Sequence, residues 1–106
     1  MVDRSVRSPG GGIQVVTTER GLPTALKIDA RELSRAPEDM AREIFLLCKL
    51  SATRAQVARR RDLTSRGFDQ TVIRSLHLAT EEELARVEAE LRGDDEEPPP
   101  TWMKRL

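Results

Sequence analysis

The side chains best suited to chemistry are few. The chain has one histidine, His77, and one cysteine, Cys48. A zinc site needs three or four Cys, His or carboxylate ligands, and no such set stands at a recognisable spacing. Thiol catalysis would need Cys48 as nucleophile and His77 as base. Cys48, however, ends the run Phe45-Leu46-Leu47-Cys48, the most apolar turn of its segment, where a neutral structural thiol is expected. His77 stands between Leu76 and Leu78, which suits a structural imidazole. Carboxylates are plentiful, but they fall on helical faces expected to be exposed or in the acidic tail. A catalytic acid/base pair needs surroundings that drive two pKa values apart, and nothing in the pattern suggests such a pocket. Gly10–Gly12 is not followed by Gly-Lys-Ser/Thr, so it is not a phosphate loop. The reading is a protein that is not an enzyme, with no cofactor, metal or small-molecule ligand expected.

The other chemically distinctive group is basic. Arg54, Arg59, Arg60, Arg61 and Arg66 gather within thirteen positions. Residues 36–66 hold seven Arg/Lys against four acids, whereas residues 80–106 hold nine acids against four bases. The arginines could be candidate nucleic-acid contacts through phosphates. They could equally be cations placed at the negative end of a helix. The whole chain balances 18 bases with 18 acids, and no aromatics interleave with the arginines, so the helix-end reading is the stronger.

These residues must be positioned by something, and the spacing predicts a small α+β domain. Residues 1–12 read as a flexible lead, residues 13–92 as the folded domain and residues 93–106 as a disordered acidic, Pro-rich tail. Residues 13–19 alternate β-branched side chains, with Ile13, Val15 and Thr17 on one face. Arg20-Gly21 makes a turn. Residues 22–29 form a second strand with Leu22, Thr24, Leu26 and Ile28 on the face to be covered. Leu33 is expected to reach the core, and Ser34 or the residues just after it to cap a long helix over Pro37–Arg61. Pro37 suits a first helical turn, where its missing N–H has no helical partner anyway.

That helix carries two apolar stripes. Met40, Ile44, Leu47, Cys48, Ala55 and Ala58 form one. Leu46, Leu50 and Val57 form a second, about 120–140° round the axis. A hairpin can cover only one, so the other needs a later helix or a second subunit. Ile44, Leu46, Leu47, Leu50 and Val57 are therefore the expected dimer or partner interface. Gly67 should end the helix. Residues 68–78 read as a short helix, with a strand the weaker alternative, turning Phe68, Val72, Ile73 and Leu76 inward. Thr80 to Glu83 is a capping box opening a last helix to Arg92, with Leu84, Val87 and Leu91 on one face. In the tail, Trp102, Met103 and Leu106 beside Lys104 and Arg105 form a candidate docking motif.

The stretch GGGIQVVTTERGLPTALKIDARELSRAPEDMAREI resembles the YbaB/EbfC nucleoid-associated family. The likeness lies in Gly10–Gly12, the strand Ile13 to Val16, Gly21, Ile28-Asp29 and the helix opening Pro37-Glu38-Asp39. It implies an intertwined homodimer with a small antiparallel sheet packed on long helices, and sequence-nonspecific DNA binding in several members. Glu43-Ile44, Leu50, Ala55-Gln56 and the helix Thr80 to Leu91 are similar to small mycobacterial and actinobacterial proteins tied to type VII (ESX) secretion, the EspD-like group. That likeness implies an accessory or stabilising factor which binds a secretion-system protein. The tyrosine of type VII export signals has no counterpart, since the chain has no Tyr.

The expected fold is thus α+β and YbaB-like, a small antiparallel hairpin or sheet packed on one long helix plus a C-terminal helical segment, as a homodimer. The expected function is non-catalytic partner binding, with nucleoid-type DNA binding as the alternative. No apolar run approaches the roughly 20 residues of a membrane span. A cytoplasmic location is expected, with no general secretory signal peptide; export by a type VII system is left open.

Overall fold

The computed structural model describes residues 5–93; the tail residues Trp102, Met103 and Leu106 lie outside the described part. Three strands, β1 (Val6–Arg7), β2 (Ile13–Thr17) and β3 (Pro23–Ile28), form an antiparallel sheet in the order β1-β2-β3. A 3-10 turn (Ala30–Ser34) leads into α1 (Pro37–Ser65), followed by α2 (Gln70–Ser75) and α3 (Glu81–Arg92). The expected α+β class holds, with one strand more than the hairpin and a helix four residues longer than Pro37–Arg61.

The extra strand corrects the flexible lead. Val6 pairs with Val15 and Arg7 with Gln14. Pro9 and the glycines, read as breakers, build the connecting turn. The Gly11 N–H donates to the Ser8 carbonyl at 2.8 Å and Gly11 sits at φ +79°. Proline presets the second turn position, and glycine supplies the left-handed residue that turns a tight loop back into a strand. Ser8 finishes the turn: its N–H donates to the Ile13 carbonyl at 2.9 Å, and its Oγ accepts from the Ile13 N–H at 3.2 Å.

In β2 the alternation reads as expected. Ile13, Val15 and Thr17 are buried against α1 and the residues between them are half-buried. In β3 it does not. Cross-strand partners share a face, so Leu26 is on the Val15 side and Ile28 on the Ile13 side. Yet Leu26 is 50% exposed and Leu22 66%, because α1 lies across β1 and β2 and leaves β3 as an uncovered edge. Leu33, expected in the core, is also exposed. The 3-10 turn that carries it has no buried residue.

Helix α1 starts at Pro37 with Ala36 as N-cap and no side-chain cap; the Ser34 hydroxyl instead donates back to the Arg31 carbonyl. A different device holds this corner. Arg35 Nη1 lies 2.8 Å from Glu32 Oε1 and 2.6 Å from Glu43 Oε1, tying the 3-10 turn to the first turns of α1. The two carboxylates, Glu43 foremost, raise the guanidinium pKa above its ordinary value. The C-terminal end closes as a paired-bond cap. The Phe68 N–H donates to the Leu63 carbonyl and the Gly67 N–H to the Thr64 carbonyl, with Gly67 at φ +86°.

The core joins Val6, Ile13, Val15, Leu47, Leu50 and Val87, with Ile28, Met40, Ile44, Cys48, Leu84 and Leu91 packed against it. Each fully buried aliphatic side chain contributes about 1.5–3 kcal/mol. The second stripe of α1 is covered by the chain's own later helices. Leu46, Leu47, Leu50 and Val57 are buried within the single chain, and Ile44 is half-buried. This corrects their assignment as an interface: as the chain folds, α3 occupies the place reserved for a second subunit. Of the four residues expected inward around α2, only Ile73 is buried; Phe68, Val72 and Leu76 are exposed, since a helix of six residues has room for one anchor on α1.

Candidate functional site

At about 1.5 Å per residue a 29-residue helix runs ~43 Å. A five-residue strand spans roughly 17 Å. So α1 projects past the sheet, and its arginine-rich end forms one wall of an open groove. The groove, of about 730 Å³, is floored by Ala55 and Ala58 and edged by Arg54, Arg59, Arg66, Glu19 and Asp62.

The five predicted arginines do not form a free cationic patch. Arg54 lies 3.5 Å from Glu88, Arg59 3.3 Å from Glu19 and Arg66 3.1 Å from Asp62. Arg61 grips Glu81 with two bonds, at 2.6 and 2.7 Å, which raises the Arg61 pKa and lowers that of Glu81. Arg60 is different in kind. Its Nη2 donates to the Leu78 carbonyl at 2.6 Å and its Nε to the Ala79 carbonyl at 3.2 Å. It is a strut holding the α2–α3 linker. A phosphate would therefore compete with four carboxylates. Exposed pairs of this kind are worth only about 0–1 kcal/mol each, so the competition is winnable but the surface is not preset for an anion.

Beside Arg60 stands a residue to which the sequence assigned no contact. The Gln56 side-chain amide donates to the Glu19 carbonyl at 2.7 Å and accepts from the Ala79 N–H at 2.9 Å. One planar group thus joins the β2–β3 turn to the α2–α3 linker across α1. Gln56 falls on the wettest strip of α1 in a helical projection, and periodicity contains no signal for a partner on each side. The linker then delivers the capping box as expected. The Thr80 hydroxyl accepts from the Glu83 N–H, and Glu83 Oε1 accepts from the Thr80 N–H at 2.8 Å. The Thr80 backbone bond holds the Glu83 carboxyl below its ordinary range. α3 ends at Gly93 in the left-handed conformation.

Cys48 and His77 sit in separate settings. Cys48 is half-buried on α1, and burial pushes its thiol above the ordinary value of 9.0, which keeps it protonated and a poor nucleophile. His77 is exposed rather than packed, at φ +55° just past α2. It acts as the left-handed stop of that helix, with its N–H donating to the Arg74 carbonyl. Among the described residues no group of three or more His, Cys, Asp or Glu is placed to hold a metal ion, and no helix is long and apolar enough to cross a membrane.

Part of the surface is apolar. The edge strand β3 exposes Leu26, with Leu22 just ahead of it, and on the same flank of α1 Phe45 is 65% exposed. Phe45, Cys48 and Ala52 form a second groove with Pro23, of about 490 Å³. Only the position of α1 over β1 and β2 shows that nothing in the described chain covers Phe45. Compared with known proteins, the chain matches no family model, no curated protein and no solved structure.

Proposed function

We propose that the protein is a non-catalytic partner-binding module that self-associates through β3 and serves as an accessory or stabilising factor of type VII secretion. The observation that carries the reading is the open edge of β3. The Asp29 N–H donates to the Gly12 carbonyl at 2.8 Å. By the alternation of an antiparallel ladder, Lys27 and Ala25 then turn their backbone groups to β2, while Ile28 and Leu26 turn theirs outward. An exposed strand with unpaired backbone groups and apolar side chains is a template for another strand. A twofold axis at Leu26 would pair Leu26 with its copy and set each Lys27 opposite Ala25, so no like charges meet. The seam thereby moves from α1, where the sequence put it, to the sheet. The resemblance to YbaB-like and secretion-associated proteins supports the biological half of the reading.

Size-exclusion chromatography with light scattering tests the first half. The protein is expected to run as a dimer and Leu26→Lys as a folded monomer; a monomeric parent protein overturns it. Affinity capture from the native host tests the second half, and recovery of no secretion-system component overturns that half alone.

One observation favours DNA binding as a second reading: Arg54, Arg59 and Arg66 open on one groove. Binding to duplex DNA should then weaken steeply with salt and vanish when all three are replaced by Ala. Absence of a gel shift at low salt removes it.

A further inference from the structure

The groove beside Phe45 needs an occupant, and the chain carries one. α3 delivers the chain to a particular place: Leu91 shares a cleft with Arg42 and Leu46 of α1. From there a stripe runs along α1 through Arg42, Phe45, Lys49 and Ala52, at the three- and four-residue spacing of one helical face. Arg42 and Lys49 are exposed, and among the described residues neither forms an ion pair. The other cations of α1 lean on acids or carbonyls; these two hold no acid in an ion pair, with Asp39 and Glu43 lining the cleft beside Arg42 and Glu83 and Glu90 the one beside Lys49. From Phe45 onward the stripe borders the groove walled by Pro23, Phe45, Cys48, Lys49 and Ala52.

The residues after Gly93 have the complementary chemistry. Asp94, Asp95, Glu96 and Glu97 come first, then Pro98–Pro100, then Trp102 and Met103. Acids would meet Arg42 and Lys49, a stiff proline spacer would cross the helix face, and the indole would reach the apolar groove. The reach is sufficient. Arg42 to Ala52 is about 15 Å along the axis, while the nine positions from Gly93 to Trp102 extend to about 30 Å.

We propose that the chain's own C-terminal segment docks in cis along this stripe, its acidic run on Arg42 and Lys49 and Trp102 in the groove beside Phe45. The segment covers the most exposed aromatic of the described chain. It makes the groove a site that an outside peptide of the same make-up, acids followed by an aromatic, would have to win by displacement. The docking is intramolecular and separable from pairing through β3, with which the groove shares only Pro23.

Trp102 is the only tryptophan, so its fluorescence reports the segment directly. In the full-length protein its emission should be blue-shifted and shielded from iodide relative to a synthetic peptide of residues 94–106. The shift should be independent of protein concentration over a hundredfold dilution. It should be lost in Phe45→Asp and reduced by Arg42→Glu with Lys49→Glu. Because Phe45 is on the surface, the Phe45→Asp fold is checked by its thermal melt. If that variant does not fold, Trp102→Ala replaces it: uncovering the groove should speed modification of Cys48 by a thiol reagent several-fold. Emission equal to the free peptide, or Cys48 reactivity unchanged in Trp102→Ala, overturns the docking. A shift that disappears on dilution overturns the cis assignment, since a second copy would then supply the segment.

Discussion

β2 and β3 are neighbouring strands of similar length and both alternate, yet they meet opposite fates. Val15 and Leu26 face each other across the ladder on the same side of the sheet. Val15 is 1% exposed and Leu26 50%. The pattern of a strand states which residues share a face. Whether that face is covered depends on where the helix lies, and α1 lies over β1 and β2. A strand pattern therefore specifies a surface, and the position of a third element decides whether the surface becomes core or interface.

The difference can be broken or sharpened by substitution. The largest effect should come from Val15→Ala, which empties part of the covered face and should cost about 2–3 kcal/mol in urea unfolding. Next is Ser51→Ala. Ser51 Oγ lies 2.8 Å from Thr17 Oγ1 and accepts from the Thr17 N–H at 3.3 Å, both buried. Removing it strands polar groups of β2 and should cost about 1–2 kcal/mol. Leu26→Ala deletes more carbon than Val15→Ala but should cost less than about 1 kcal/mol in the monomer, since much of the side chain is already wet. If Leu26→Ala proves the costlier, the contrast between the strands is wrong.

The smallest effect concerns the cover on the other side of α1. Bonds from Arg61 hold the Glu81 carboxyl, and the Thr80 backbone holds the Glu83 carboxyl, below the usual value of 4.5. A depressed carboxyl contributes its stability above the unfolded value and loses it as pH falls through the folded one. Acidification below pH 4.5 should therefore loosen the start of α3 before the sheet. Hydrogen exchange would show amides of residues 81–84 opening first. Glu81→Gln with Glu83→Gln should flatten that pH dependence.

Much of this was legible in the residues. Pro37, Thr80, Glu83 and Gly93 mark helix ends by local chemistry, and the structure has those ends there or within a residue, while α1 runs four residues past the expected Arg61 before Gly67 closes it. The buried face of β2 follows from alternation alone. What was not legible depends on distant geometry. Pro9 and Gly11 read as breakers because a turn and a loose end use the same residues, and only the pairing of Val6 with Val15 tells them apart. The two stripes of α1 were visible, but whether α3 or a second subunit fills the one through Leu46, Leu50 and Val57 depends on how residues 66–80 turn. The arginines were visible as a cluster, while their partners Glu19, Glu81 and Glu88 lie far away in sequence.

Gln56 sets the narrowest chemical requirement on the outer side of α1. Its neighbours ask for opposite things, a hydrogen for the Glu19 carbonyl and a lone pair for the Ala79 N–H. Glutamate can only receive and lysine can only give, and asparagine is one methylene short. Glutamine spans both gaps with a donor and an acceptor on one rigid plane. The two loops are therefore hinged on a single side-chain amide, and a Gln56→Glu exchange, isosteric though it is, should release the β2–β3 turn while leaving the linker at Ala79 in place.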